Sequence, residues 1–303
     1  MNKQKYNLAV APITTPLFVV LVLVLLSLSG YILQNRMQGE NIYLLISVVQ
    51  LIVFIFPCML YYFFKGRKLS TPILVSAVKP GQYLFLLFSF FLLVSGTILI
   101  KFFFYINSGS SPSEVNFFVS SLASNDSAGV AETLVSFVII PAICEELFFR
   151  GIVLSEYRTF GAFNAVVMSA ICFSMAHFSF EASPIYFFSG IILGVSAIVC
   201  RSIFAPLLIH IGSNILSVYA SDLFLRVTIQ KCGAFFVGFV ILTVFLISLT
   251  LVISRAEAIF WVRSEKPSQD EIPIHSYGNF KTVFLSPAFF ILVLAYVLIT
   301  ILL

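Results

Sequence analysis

Runs of about 20 apolar residues, the length a helix needs to cross a bilayer, recur along this chain with only short polar interruptions. They fall near residues 15–34, 42–64, 82–106, 130–156, 161–178, 184–200, 204–221, 232–254 and 283–302. The pattern predicts an all-α, polytopic transmembrane helical bundle of about eight to nine spans. Composition agrees: 60% of the residues are apolar and 10% charged, against roughly 25% charged in an ordinary soluble domain. No stretch is left over for a soluble domain, so residues 1–303 read as a single integral membrane domain. The first run is longer than a signal-peptide core and lacks a small-residue cleavage pattern, so it is expected to remain in the mature protein.

The net charge of +4 is spread over span ends rather than gathered in a stripe, which argues against a nucleic-acid partner. With a cytoplasmic N-terminus, all of the 17 Lys and Arg residues except Arg36, Lys101, Arg226 and Lys231 fall on the inner side, as the positive-inside rule expects. The outer loop from Asn107 to Gly129, with Glu114 and Asp126, contains no base; Lys266 to Gly278, with His275, reads as a flexible inner loop. Five cysteines without a C-x-x-C spacing, Cys58, Cys144, Cys172, Cys200 and Cys232, suggest packing rather than a disulfide framework.

Charges at membrane depth cost roughly 2.5 to 3.5 kcal/mol each, so they mark function unless they are paired. The fourth span carries Glu145, Glu146 and Arg150. Glu146 and Arg150 are four apart and can neutralise each other on one helical face. Glu145 then points about 100° away without a local partner, placed to serve as a general base. Pro141 cannot donate to the carbonyl of Phe137 and is expected to kink the helix beside this carboxyl. Alternatively all three charges pin helices together.

Two histidines lie in the predicted spans: His177, one turn after Phe173, and His210, one turn before Asn214. Alone, each reads as an interface residue. With Glu145 they supply a base, a second titrating group and two donors for an oxyanion, the parts needed to hydrolyse an amide. Counting about 1.5 Å per residue from the inner ends puts His210 about 9 Å, Glu145 about 17 Å and His177 about 24 Å deep, a spread unfavourable to cooperation. Other chemistries lack residues: there is no H-E-x-x-H motif, and Asp126, Asp222 and Asp270 sit in loops or at span ends. No serine stands in a G-x-S-x-G context. A transporter is a further class with acids and histidines in spans, but neither inverted repeats nor paired broken helices are visible.

The E-E-x-x-x-R of Glu145, Glu146 and Arg150, the F-x-x-x-H of Phe173 and His177 and the H-x-x-x-N of His210 and Asn214 occur in one order over residues 145 to 214. In this the chain resembles the CPBP family, the CAAX proteases and bacteriocin-processing enzymes also called Abi proteins, whose eukaryotic members are type II CAAX prenyl endopeptidases. The resemblance implies an intramembrane endopeptidase with a catalytic core at about 130–222, preceded by three accessory spans and followed by about two. It implies that Glu145 and His177 activate water, that His210 and Asn214 stabilise the oxyanion, and that Glu146 with Arg150 forms a structural ion pair. No cofactor is expected. In the alternative, a divalent metal such as zinc is held by Glu145, His177 and His210; against it, the sequence offers no obvious carboxylate to orient the histidines besides Glu145 and Glu146.

The expected partners are the bilayer and a membrane-associated peptide or protein; the resemblance implies prenylated C-terminal peptides for the eukaryotic relatives and peptide maturation or self-immunity to bacteriocins for many bacterial ones, and nothing in the sequence selects among these. The expected location is a bacterial cell membrane. This chain's own Ile-Leu-Leu terminus carries no CAAX box. The rival of another class is a non-catalytic immunity or peptide-sequestering protein using the same cavity.

Overall fold

The computed structural model describes residues 3–34, 42–65, 76–108, 130–219, 229–264 and 280–302. Among them are helices and connecting turns but no strand. Nine helices carry the architecture: α1 (Lys3–Gln34), α2 (Ile42–Phe64), α3 (Tyr83–Ser108), α4 (residues 130–157), α5 (Ala162–Met175), α6 (Ser183–Cys200), α7 (Phe204–Tyr219), α8 (Ala234–Ser264) and α9 (Pro287–Leu302). The loop containing Glu114 and Asp126 and the charged loop with His275 lie outside the described residues.

Five of these helices contain stretches long and apolar enough to span a membrane: α1, α2, α3, α6 and α8. Large apolar side chains face outward along them, from Met59 and Phe63 on α2 to Phe235 on α8 at 91% exposure. Such a surface is stable only against lipid, and the chain is an integral membrane protein. α5, α7 and α9 are shorter, with 14, 16 and 16 residues. At 1.5 Å per residue α5 is about 21 Å long, less than the roughly 30 Å hydrocarbon core. The fifth predicted span therefore ends early, and its last residues form a turn instead.

α4 packs against α2, α5, α6 and α7, while α3 lies against α6 and α7. α8 packs along α3 and touches α6, and α1 pairs with α2 and α9. One apolar cluster links them all, drawing on Val19, Phe54, Phe85, Phe148, Met168, Leu193, Ala205, Val252 and Leu292. Small residues set the closest approaches. A Cβ on Gly190 of α6 would stand 2.7 Å from the Ala170 Cα of α5, so only glycine lets these backbones meet.

Near the C-terminal end of α4, Lys65 Nζ makes a 2.8 Å ion pair with Glu156, whose side chain is fully buried. Thr15 and Tyr61 share a hydrogen bond, tying α1 to α2. A tight turn at Arg158–Phe160 then leads to Gly161, whose φ of 102° lies where side chains other than hydrogen are strained, and α5 begins.

Candidate active site

The chemistry-bearing part of α4 is not a regular α-helix. Residues Val135–Ile139 and Glu146–Leu154 take wide, i to i+5 turns, with an α-helical segment Ile140–Glu145 between them. Ile140 N–H donates to the Val135 carbonyl, five residues back, just before Pro141. The wide turn ends where Pro141 lacks a donor, so the hydrogen-bond ladder is re-routed at that residue. Carbonyls in the second wide stretch receive serine donors instead. Ser155 Oγ donates to the Arg150 carbonyl at 3.1 Å, and Ser169 Oγ on α5 to that of Phe149 at 3.0 Å.

Glu146 and Arg150 are essentially inaccessible, and Arg150 Nη1 donates to Glu146 Oε1 at 2.8 Å. Arg150 Nη2 reaches the Gly190 carbonyl at 3.3 Å, and its guanidinium lies over the Phe173 ring, 4.6 Å from the centroid. A planar fork can serve a carboxylate, a carbonyl and an aromatic face at once. Arg150 thus joins α4, α5 and α6.

The same Glu146 oxygen accepts a second hydrogen bond, 2.8 Å from His210 Nδ1 on α7. A carboxylate can only accept, so Nδ1 carries the proton, and His210 presents Nε2 to the other side. Nε2 stands 3.7 Å from Glu145 Oε2. That oxygen is buried and has no hydrogen-bond partner, while the Glu145 side chain as a whole keeps 13% of its surface exposed. An uncommitted acceptor inside a membrane protein is costly unless something else fills its place.

His177 belongs to the turn after α5 rather than to a span. Its Nδ1 donates to the Phe173 carbonyl at 2.8 Å, one helical turn back, so this histidine also leaves Nε2 uncommitted. Its ring stands 4.9 Å from Phe173 and stacks on Tyr186 of α6 at 3.6 Å. The turn is fastened by Ser174 Oγ, 3.0 Å from the Ser183 carbonyl and 2.8 Å from its hydroxyl. Within it, Phe178 adopts a φ of 46°, a strained backbone for a bulky residue.

The depths counted along straight spans do not describe this arrangement. Phe173 touches both imidazoles, at 4.9 Å for His177 and 5.6 Å for His210, and Glu145 adjoins His210. Among the described residues no hydrogen bond or ion pair joins Glu145 to His177, and none engages Asn214, half-buried one turn after His210. Glu145 is therefore not without a neighbour, as its spacing suggested; its neighbour is His210. Sequence reasoning missed Glu146 as the acceptor that orients His210, and it missed Tyr186. A stray aromatic in an apolar helix carries no signal of its own.

Both histidines have their Nδ1 engaged by an acceptor, so the argument that a metal would lack orienting groups does not hold. Among the described residues, however, no three His, Cys, Asp or Glu side chains gather in an arrangement that holds a metal ion.

Residues 128–216 match the family model described as type II CAAX prenyl endopeptidase Rce1-like. The matched segment runs from the start of α4 through most of α7 and contains Glu145, Glu146, Arg150, Phe173, His177, His210 and Asn214. It agrees with the resemblance to the CPBP family and, at family level, describes a membrane protease core. No curated protein and no solved structure matches the chain.

Proposed function

We propose that this protein is an intramembrane endopeptidase that hydrolyses a peptide bond in a membrane-associated peptide or protein, using water and no bound metal. The observation that carries this reading is the unpartnered Glu145 Oε2 facing His210 Nε2 at 3.7 Å, inside a family segment of membrane proteases. A buried carboxylate that no protein donor satisfies is placed to hold a water molecule.

In the proposed reaction Glu145 and His177 Nε2 orient a water, and Glu145 takes one of its protons as the water oxygen bonds to the scissile carbonyl carbon. The carbonyl π-electrons move to oxygen, and the oxyanion accepts hydrogen bonds from His210 and Asn214. The tetrahedral intermediate collapses as the C–N bond breaks, with the abstracted proton delivered to the leaving amine. His210 already commits Nδ1–H to Glu146, so donation from Nε2 requires the doubly protonated imidazolium, flanked here by Glu145 and Glu146. Glu146 is thus a positioning residue for the oxyanion side as well as a partner of Arg150.

The proposed setting is a bacterial cell membrane with the N-terminus in the cytoplasm, and the proposed substrates are prenylated or bacteriocin-type peptides. The deciding experiment is cleavage of a candidate peptide library by the purified protein in detergent, wild type beside Glu145→Ala. Cleavage by the wild type alone supports the reading. Cleavage by both refutes the role of Glu145; binding without cleavage by either favours a peptide-sequestering or immunity protein.

A further inference from the structure

We propose that Tyr186 is a positioning residue for His177, holding the imidazole so that Nε2 is the atom offered to the reacting water. The consequence for turnover rests on the peptidase reading above; the geometry does not.

The Nδ1 hydrogen bond to the Phe173 carbonyl fixes one point of the ring, but a histidine χ2 is a broad torsion that one bond leaves free to rock. The two rings packed against it restrict that freedom. Tyr186 lies nearly parallel to the imidazole, 3.6 Å between centroids at an interplanar angle of 19°, while Phe173 meets it at 4.9 Å and 58°. Tyr186 is in turn placed by the first turn of α6, which Ser174 fastens to the end of α5 through Ser183. Ser179 Oγ closes the intervening turn by accepting from Ala182 N–H at 3.1 Å. The φ of 46° at Phe178, next to His177, is held within the same fastened turn. An aromatic face also favours a cation above it. The face of Tyr186 is therefore best used as His177 Nε2 polarises the water and its ring gains positive charge, which makes the stack stronger in the transition state than in the resting enzyme.

The test compares Tyr186→Leu and Tyr186→Phe in the full-length protein, in one detergent, with thermal stability measured for each. Histidine side chains are labelled for NMR, and the His177 resonance is identified as the one lost in His177→Gln. A ring stacked at this distance shifts that resonance upfield in the wild type and in Tyr186→Phe, and the shift collapses in Tyr186→Leu. On a cleaved peptide, Tyr186→Leu lowers kcat by about 10-fold with KM unchanged, and Tyr186→Phe turns over within about twofold of wild type. A His177 resonance without the upfield shift overturns the proposal, as does a stably folded Tyr186→Leu with wild-type kcat. Equal loss in the Phe and Leu variants overturns it too, because the hydroxyl and not the ring face would then matter. If the wild type cleaves nothing, the peptidase reading fails, and the resonance still decides whether Tyr186 holds the ring.

Discussion

Removing the Glu146–Arg150 pair one member at a time, and then both together, separates what these buried charges do for the fold from what they do for the reaction. Glu146→Leu leaves Arg150 hydrogen-bonded only to the Gly190 carbonyl and lying over the Phe173 face, an inaccessible cation that has lost its ion-pair partner. Breaking a buried pair costs about 3 to 5 kcal/mol, and this variant belongs at the upper end. Arg150→Met is milder, because His210 Nδ1 still donates to Glu146 Oε1 at 2.8 Å, so the stranded carboxylate keeps one partner; about 3 kcal/mol is expected. In Glu146→Leu with Arg150→Met neither charge remains, and apolar residues of similar bulk fill the site. The double variant should recover most of the stability, giving a coupling well above about 3 kcal/mol in the double-mutant cycle, the value reached if nothing were recovered beyond the worse single variant. Its activity should not return, because His210 has lost the acceptor that orients it. The assays are thermal unfolding in one detergent and peptide turnover, on all four proteins. A double variant no more stable than the worse single variant refutes the buried-pair reasoning. One that is both stable and fully active refutes the positioning of His210 by Glu146.

Further outcomes follow from the same site and its supports. Asn214→Ala should keep peptide affinity and lower turnover by about 10² to 10³, the usual cost of one oxyanion donor, with Glu145→Gln worse still; wild-type turnover in Asn214→Ala would assign that residue to packing. Chelators should leave activity intact and elemental analysis should find no stoichiometric metal; about one equivalent of zinc, needed for activity and restored by addition, would overturn the water-only mechanism. Gly190→Ala should destabilise by about 1 to 3 kcal/mol, because its Cβ would meet the Ala170 backbone at 2.7 Å, and thermal unfolding should show that adding Ala170→Gly fails to restore full stability, since the obstructing backbone of residue 170 is still there.

What could be read in the sequence was what lies within one helix. The apolar runs gave α2 and α3 nearly to the residue, because hydropathy and length alone decide a lipid-facing span. The four-residue spacing of Glu146 and Arg150 likewise placed an acid and a base in reach. Contacts between helices were hidden. Glu146 and His210 are 64 positions apart, and only the packing of α4 against α7 brings them together. The place of His177 was misjudged because an apolar run does not announce where its helix stops: α5 ends at Met175, and the turn that follows still contains apolar residues. The wide turns of α4 carry no signal beyond Pro141, and the Lys65–Glu156 pair joins two span ends that lie far apart in the sequence. In each case the missing information is a crossing geometry, set by bulk and close approach at residues such as Gly190 and Ala170.

The wide turns of α4 also determine how this segment tolerates changes in length. A stretch that closes its ladder at i+5, as Glu146–Leu154 does, behaves like an α-helix holding one inserted residue. Deleting a single residue there lets the ladder revert to its commoner form, at little cost to the backbone itself. It also changes the angular phase of everything on one side of the deletion relative to the other, because wide and regular turns advance by different angles per residue. Glu145 and Glu146 sit at one end of the stretch and Glu156, clasped by Lys65, just past the other, so a shortened helix can satisfy the two carboxylates or the clasp, but not both. Insertions and deletions should therefore be excluded from residues 146–154 and accumulate in the connections between helices.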